Sequence, residues 1–475
     1  MLRNCPLFFA ALCLFAITSC SDENQGCTDP TATNYSLEAT EEDGSCVYPN
    51  TEEFTITENG TIVTVAGKTD VDFTFTADKI WLMKAFVYVR DGATLTVEPG
   101  TVIKGDKSSK ASLIIERGAK INAVGTQVAP IVFTSSQPVG QRSYGDWGGL
   151  ILCGNAAVNL PGGEGYVEGG VGSLYGGNVE NDNSGKLKYS RIEFAGIPFQ
   201  PNTEINGLTL AAVGSETEIE FIQVSYCGDD SYEWFGGNVN ARHLVSFRGW
   251  DDDFDTDNGY SGKLQYLVAL RDPQVADASG SSGFESDNNP EGNSTSPFTT
   301  PVFSNVSLFG PLAIAGTPYN TQHNSGMHLR RNTKLRVHNT VVAGFPFGIQ
   351  VQHNFTETNA ENDDLRVRGT IVTGCENPLK PADLFSTFAP YDWFFTSAYN
   401  NDTLATNDEL QIADPFNLQS PDFMPTGSSP LLSGAVFTHP DLQDAFFEQV
   451  NFIGAFGTDD WTEGWTNWDP QNTVY

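Results

Sequence analysis

The sequence predicts an all-β fold, a parallel β-helix (solenoid) of about ten to twelve coils with capping segments. Three observations carry this. Seven octets align at residues 189–196 (YSRIEFAG), 221–228 (FIQVSYCG), 242–249 (RHLVSFRG), 265–272 (QYLVALRD), 303–310 (FSNVSLFG), 337–344 (VHNTVVAG) and 367–374 (VRGTIVTG). Their fourth and sixth positions are apolar or β-branched throughout, the period-2 pattern of a strand with one buried face. Their eighth position is glycine in six of the seven, which predicts a sharp turn after each strand. The octets start 21 to 38 residues apart. A minimum near one coil with variable excess fits insertions leaving a solenoid at its turns, whereas antiparallel sandwiches repeat every ~8–12 residues. A helical period is visible only in a short stretch at 440–450 (PDLQDAFFEQV). Coils stacked ~4.8 Å apart make a rod on the order of 50 Å long.

At the N-terminus, Arg3 precedes an apolar run over residues 6–18 and then Ile17-Thr18-Ser19-Cys20. That order is a secretory signal over residues 1–19, and the run falls short of the roughly 20 residues a membrane span needs. Residues 17–20 resemble the lipobox of bacterial lipoproteins. The resemblance implies cleavage before Cys20 and its lipidation, and each buried CH₂ of such an anchor contributes about 0.8 kcal/mol. The acidic residues 21–23 resemble the surface-export tether of Bacteroidetes lipoproteins, which implies the outer face of the outer membrane.

Residues 20–53 are read as a lipidated tether. Within it, 27–48 is too short to bury its own core, so a Cys27–Cys46 disulfide is expected, stabilising by roughly 3 kcal/mol. The module resembles a short repeat near the ends of Bacteroidetes surface proteins, where it serves as spacer and calcium-binding turn; Asp29, Glu42 and Asp43 are the matching acids. Cys153, Cys227 and Cys375 are left over and read as unpaired, buried small hydrophobes.

Residues 54–381 are assigned to the β-helix, with the segment from 54 to 79 able to cap one end, and the aromatic-rich 382–475 to a C-terminal capping region. Upstream of the octets the strand pattern continues through 92–105 (GATLTVEPGTVIKG), 129–135 (APIVFTS) and 145–156 (GDWGGLILCGNA). These strings, with the terminal FIGAFGTDDWTEGWTNWDPQNTVY, resemble a family of Bacteroidetes right-handed parallel β-helix (pectin-lyase-like) surface proteins of unknown function. The resemblance implies a right-handed winding over most of the chain after about residue 57, and implies no activity.

The chain of 475 residues carries 59 acidic and 25 basic side chains, a formal charge of −34. Such a field repels phosphate backbones, which excludes nucleic acid as a partner, and it repels anionic polysaccharide unless a cation bridges the two. With 39% apolar residues the chain can bury a large core.

The pattern richest in chemistry follows the octets in three consecutive coils: Tyr232-Glu233-Trp234-Phe235, Phe254-Asp255-Thr256-Asp257 and Phe284-Glu285-Ser286-Asp287. Equivalent positions stack ~4.8 Å apart, so Glu233, Asp255 and Glu285 are expected in one column and Asp257 and Asp287 in another. Asp229, Asp230 and Asp251 to Asp253 crowd the adjoining turns. Carboxylates that close need a cation, raised pKa values or basic neighbours, and Arg242, Arg248, Lys263 and Arg271 lie in the same coils.

Calcium is the expected cofactor. Asp253, Asp255 and Asp257 alternate before Asn258-Gly259 like the start of an EF-hand loop, although no Glu stands at its twelfth position, and Asp287 is the fourth candidate ligand. A hydrolase would use Glu233, Asp255 and Glu285 as catalytic carboxylates, and a lyase would pair calcium with Arg248 or Lys263 as base. Tyr232, Trp234, Trp250 and Phe254 are the candidate sugar-stacking residues. His323 and His328 flank a loop-like stretch that could hold a metal; His243 and His338 read as hydrogen-bonded and partly buried. The resulting expectation is a lipid-anchored, cell-surface β-helix, non-catalytic, calcium-stabilised and binding a glycan or a partner protein. The alternatives are a polysaccharide hydrolase or lyase, and a structural or accessory subunit of an outer-membrane complex.

Overall fold

A computed structural model of the chain describes residues 25–28, 35–36, 39–42, 54–90, 92–197 and 204–475. The signal segment, Cys20 and Cys46 lie outside the described residues. Cys27 is buried and disulfide-bonded.

The fold is a right-handed parallel β-helix: the parallel winding is the one the repeats predict, and its hand is the one the family resemblance implies. One continuous hydrogen-bonded sheet of 27 strands winds around a single axis. Each coil contributes strands to three faces. The first face runs from Phe73–Phe75 through Lys120–Val124 to Arg366–Arg368. The second runs from Val102–Gly105 through Ile131–Ser135 to Asp402–Leu404, one rung beyond residue 381. The third runs from Ser112–Ile115 through Leu150–Cys153, Tyr232–Phe235, Phe254–Asp257 and Phe284–Ser286 to Asn377–Leu379. In the middle coils one long strand, such as Glu218–Ser225, serves the first and second faces and bends between them.

That bend corrects the octet register. The corner falls on Tyr189, Phe221, His243, Tyr266, Asn305 and Asn339, all with φ between 47° and 64°. In the octets these are first, then second, then third positions, so the alignment slips by one residue twice; Ser225 pairs with Phe247 rather than with Ser246. The glycine ending an octet is a left-handed turn residue at Gly196, Gly344 and Gly374 (φ 86°, 73° and 59°) but not at Gly228, Gly249 or Gly310. In the first two octets a left-handed residue also stands two positions earlier, at Phe194 (φ 62°) and Tyr226 (φ 54°).

Inward residues of all three faces form one core, from Val65 and Trp81 through Ile222, Leu244 and Leu267 to Val372. The GDWGG string plugs it. Trp147 is fully buried and its indole donates to the Glu193 carbonyl at 2.8 Å. Asp146 beside it is buried too, accepting from Ser135 at 2.6 Å and pairing with Lys107 at 2.7 Å. Gly105 must lack a side chain, because its Cβ would stand 2.5 Å from that of Trp147. Cys153 and Cys227 are free and buried, and burial pushes both thiols up, so they behave as small hydrophobes.

At the N-terminal end a hairpin of Thr55–Asn59 and Ile62–Thr69 lies over the first coil. The C-terminal region does more than close the other end. After the last rung the chain runs back along the outside of the second face, burying Leu410, Phe423, Ile453, Phe456 and Trp465 against Val245, Phe247, Leu270 and Phe309. It reaches the early coils, where Arg142 donates to the Pro470 carbonyl and the Tyr475 hydroxyl bonds Glu193 at 2.6 Å. The helix expected at 440–450 is only a 3₁₀ turn, Pro440–Leu442. Leu442 and Phe447 are pulled into a cluster with Val302 and Phe437, and Asp441 is taken by Arg366 at 2.9 Å and His338 at 3.1 Å, so tertiary contacts override the helical pattern.

Candidate functional site: an acidic cleft on the third face

One outward column on the third face changes character along the rod. It reads Tyr88, Ile114, Ile151 and Thr209, then Glu233, Asp255 and Glu285, then His328 and Gln350, each paired with the next across the ladder. The first three are covered by an insertion whose short antiparallel pair, Glu164–Tyr166 and Leu174–Gly176, packs Val167, Val171 and Tyr175 onto them. Where that cover stops, the column turns acidic. The predicted stacking of Glu233, Asp255 and Glu285 is therefore correct in register. Asp257 stands two residues along from Asp255 on the same side, and Asp287, whose amide donates to the Thr256 carbonyl, follows it on the next rung.

More acids converge here than the column supplies. Oxygens of Asp230, Glu233 and Asp255 lie within 4.8 Å of one another, and so do those of Asp229, Asp230 and Asp251. Glu168 arrives from the insertion with Glu204 nearby, and burial followed by Glu204 pushes its carboxyl up to about 8. Burial, then Glu168 and Asp255, holds Glu233 well above the usual carboxylate range. Burial, then Glu285 and Asp257, does the same to Asp255. Asp229, Asp230, Asp252 and Asp257 are raised for like reasons, burial first and neighbouring acids second. Asp251 is pushed up to about 7 by burial, against the pull of a Ser279 hydrogen bond. Asn206 donates to Glu233. Oδ1 of Asp255 and Oδ1 of Asp251 are buried with no hydrogen-bond partner among the described residues.

The basic neighbours are not those expected. Arg242 and Lys263 lie on the first face, paired with Glu448 at 3.1 Å and Asp444 at 2.8 Å. Arg248 pairs with Asp272 and lies over the Tyr226 ring. Neither Arg248 nor Lys263 can serve the ladder as a base. The cations at the cleft are Arg271, Arg330 and Arg331, and each is already engaged. Arg271 is fully buried against Asp253 at 2.9 Å and donates to the Ser282 carbonyl at 2.8 Å. Arg330 bridges Glu285 and Asp287, and Arg331 meets Asp287 at 2.8 Å.

Several predicted site residues are thereby corrected. Asp253 is not a metal ligand: it turns inward to Arg271 and accepts from Ser246 at 2.6 Å. Its string with Asp255 and Asp257 is the start of a strand rather than a coordinating loop, and alternate strand residues stand ~6.6 Å apart instead of converging. Asp287 is paired with two guanidiniums, and Glu285 with Arg330, so both carboxylates are already engaged. Tyr232, Trp234 and Phe254 cannot stack on a sugar. All three are fully buried in the core, and the Tyr232 hydroxyl donates to the Ile222 carbonyl at 2.7 Å. Trp250 alone is exposed, edge-on to Tyr144. His323 and His328 do not converge: His323 bonds the Asp272 carbonyl, and His328 bonds Gln352 and Glu285. Asp255, Asp257 and Glu233 remain, joined by Asp230 from the turn. Glu168, Glu204 and Arg330 were missed, since they come from distant insertions or coils that carry no local signal.

Residues 67–412 match the family model of the pectate-lyase-like β-helix domain. The chain belongs to that family. Membership accounts for the three-faced winding and leaves the chemistry of the cleft to be argued from its residues. No curated protein matches the chain, and no solved structure does.

Proposed function

We propose that the acidic cleft binds calcium and that the bound ion presents the third face to an acidic glycan, the protein working at the outer-membrane surface through a lipid on Cys20. One observation carries the reading: Asp230, Glu233 and Asp255 offer oxygens within 4.8 Å of one another while the nearby arginines are spent on Asp253, Glu285 and Asp287. An all-oxygen set suits a hard cation such as calcium. With the flanking aromatics inside the core, a ligand on this face is held by ion and polar groups, not by stacking. A chain of charge −34 needs such a bridge to hold a uronate.

Binding is favoured over hydrolysis by the electrostatics. A hydrolytic pair needs two carboxyls whose pKa values are pushed apart. Glu233 and Asp255 are both pushed up, by burial first and neighbouring acids second, and a shared cation would relieve that repulsion. The test is calorimetric titration of the mature, detergent-solubilised protein with calcium, then with oligogalacturonate in calcium and in EDTA. Saturable calcium binding that weakens at least ~10-fold in Asp255→Asn and Glu233→Gln, and glycan binding seen only with calcium, is the expected result. Calcium heats unchanged in both variants, or glycan binding that survives EDTA, would overturn it.

A further inference from the structure

The last two rungs of the first face carry a square of four basic side chains. Arg336–His338 and Arg366–Arg368 pair in register, Arg336 beside Arg366 and His338 beside Arg368, with Val337 and Val367 turned into the core between them. Neighbouring rungs stand ~4.8 Å apart and like charges opposite each other repel, so the square needs carboxylates from elsewhere. Two arrive. Asp441, on the returning C-terminal segment, takes Arg366 at 2.9 Å, Arg336 at 3.5 Å and His338 at 3.1 Å. Both oxygens of Asp363 accept from Nη2 of Arg368 at 2.7 Å. Three guanidiniums thus meet two carboxylates, in a chain whose net charge is −34. Donors are in surplus as well: Nε of Arg336, of Arg366 and of Arg368 is buried without a hydrogen-bond partner among the described residues.

Beside the square the C-terminal segment leaves an open pocket of about 240 Å³, lined by His338, Arg368, Tyr399, Asn400, Thr438 and His439. The Arg368 guanidinium lies over the Tyr399 ring at 4.4 Å, which fixes it at the pocket wall. Nδ1 of His439 accepts from the Asp441 amide at 3.2 Å, so the neutral ring carries its proton on Nε2 and offers a donor there. Asn400, at φ 54°, and Thr438 are exposed on the rim and add an amide and a hydroxyl. Ligand atoms of His338, His439 and Asp441 also lie within 4.8 Å of one another, as they would around a metal. Two guanidiniums already hold that carboxylate, however, and a divalent ion would add to a surplus of positive charge, so the pocket suits an anion.

We infer that this pocket binds a sulfate group, either an ester carried on a sugar or the free anion. Its donors come from three separate elements, the last rungs, the cap at 398–400 and the returning segment at 436–440, so they surround the ligand. A tetrahedral group with oxygens on every side meets them, whereas a planar carboxylate satisfies a single fork. The one negative charge of a sulfate ester matches the one surplus guanidinium. At physiological salt the field of distant acids is screened beyond ~8 Å, so the local surplus decides. The pocket is larger than one sulfate, which leaves room for part of the sugar that carries it. The site uses no residue of the acidic cleft and needs no calcium.

The test is proton–carbon NMR of the mature, detergent-solubilised protein labelled at histidine Cε1, in EDTA at neutral pH and constant ionic strength. The six histidines give six signals, and His439→Gln assigns the one at the rim. Sodium sulfate, glucose 6-sulfate, glucuronate and glucose are titrated in turn, with sodium chloride as the balancing salt. Saturable shifts at His439 and His338 are expected with both sulfates, at least ~5-fold weaker binding with glucuronate, and no shift with glucose. Tighter binding of glucose 6-sulfate than of sulfate assigns the pocket to a sulfated glycan, and the opposite order assigns it to the free anion. Arg368→Gln should weaken binding at least ~10-fold, and Asn400→Gly, which keeps the left-handed backbone and the fold, at least ~3-fold, while Asp255→Asn changes nothing. Shifts no larger than those of chloride, glucuronate bound as tightly as sulfate, zinc replacing EDTA and moving these signals where sulfate does not, or a sulfate affinity unchanged in both pocket variants overturns the assignment.

Discussion

Removing calcium should make the protein less stable as pH rises from 6.5 to 8, the reverse of what an ordinary acidic protein does as its salt bridges form. The sign follows from the cleft. Glu168 and Asp251 ionise at about 8 and about 7 in the folded chain, against ordinary values of 4.5 and 3.8. The unfolded chain has then lost protons that the folded chain retains, so stability falls with rising pH from the unfolded values up to the folded ones. The window matters. His323, His338, His353 and His439 are held below the ordinary value of 6.5, chiefly by burial, so they add stability as pH climbs towards 6.5 and nothing above it. Glu220 and Asp441, lowered to about 2 and further, lose their contribution only in acid. Between 6.5 and 8 the cleft therefore dominates. One retained proton costs about 2 kcal/mol over that interval, and the cluster shares its protons rather than summing them. Calcium bound to the ionised cleft opposes this; at 100 times its Kd it contributes about 2.7 kcal/mol, enough to flatten the profile. Urea midpoints at pH 6.5, 7.25 and 8, in EDTA and in calcium, measure both effects, and Glu168→Gln should shrink the slope in EDTA. A stability in EDTA that stays level or rises across this window refutes the argument.

Asp253→Asn leaves the Arg271 guanidinium buried without its counter-charge and should cost about 3–5 kcal/mol in chemical denaturation, while the double change Asp253→Leu with Arg271→Met recovers most of it. Gly105→Ala drives a methyl into Trp147 and should cost about 1–3 kcal/mol, visible as a lower urea midpoint with the same far-ultraviolet spectrum. Tyr232→Phe removes hydroxyl bonds to the Ile222 and Val245 carbonyls at 2.7 and 3.0 Å and should cost about 1 kcal/mol, with calcium and glycan titrations unchanged; a binding defect at equal stability would return this ring to the site.

The winding was legible because period-2 alternation survives any insertion placed in a turn, but the slipped octets mixed the two faces: their fourth and sixth positions point into the core at Val224, Val306 and Leu308 and out under the C-terminal segment at Val245, Phe247, Val268 and Leu270. The acidic column was legible for the same reason: an aromatic residue followed by an acid recurs in three successive coils, and the ladder aligns Glu233, Asp255 and Glu285 as that recurrence implies. The alternation also contained its own correction. If Glu233 faces out, Tyr232 and Trp234 on either side of it must face in, so one strand cannot offer both an outward carboxylate column and the sugar-stacking rings beside it. What alternation cannot carry is the third dimension of the site. Arg330 reaches Glu285 and Asp287 from the following coil, and Glu168 reaches Glu233 from an insertion that local pattern treats as a loop. Asp253 and Asp255 look equivalent in the sequence, yet the turn entering the strand sends one to Arg271 and leaves the other facing Asp230 and Glu233. The choice between structural ion pair and candidate ligand is thus made by which insertion or coil delivers a cation: Asp253, Glu285 and Asp287 receive one, while Asp230, Glu233 and Asp255, with Asp229, Asp251, Asp252 and Asp257 around them, have no salt-bridge partner among the described residues.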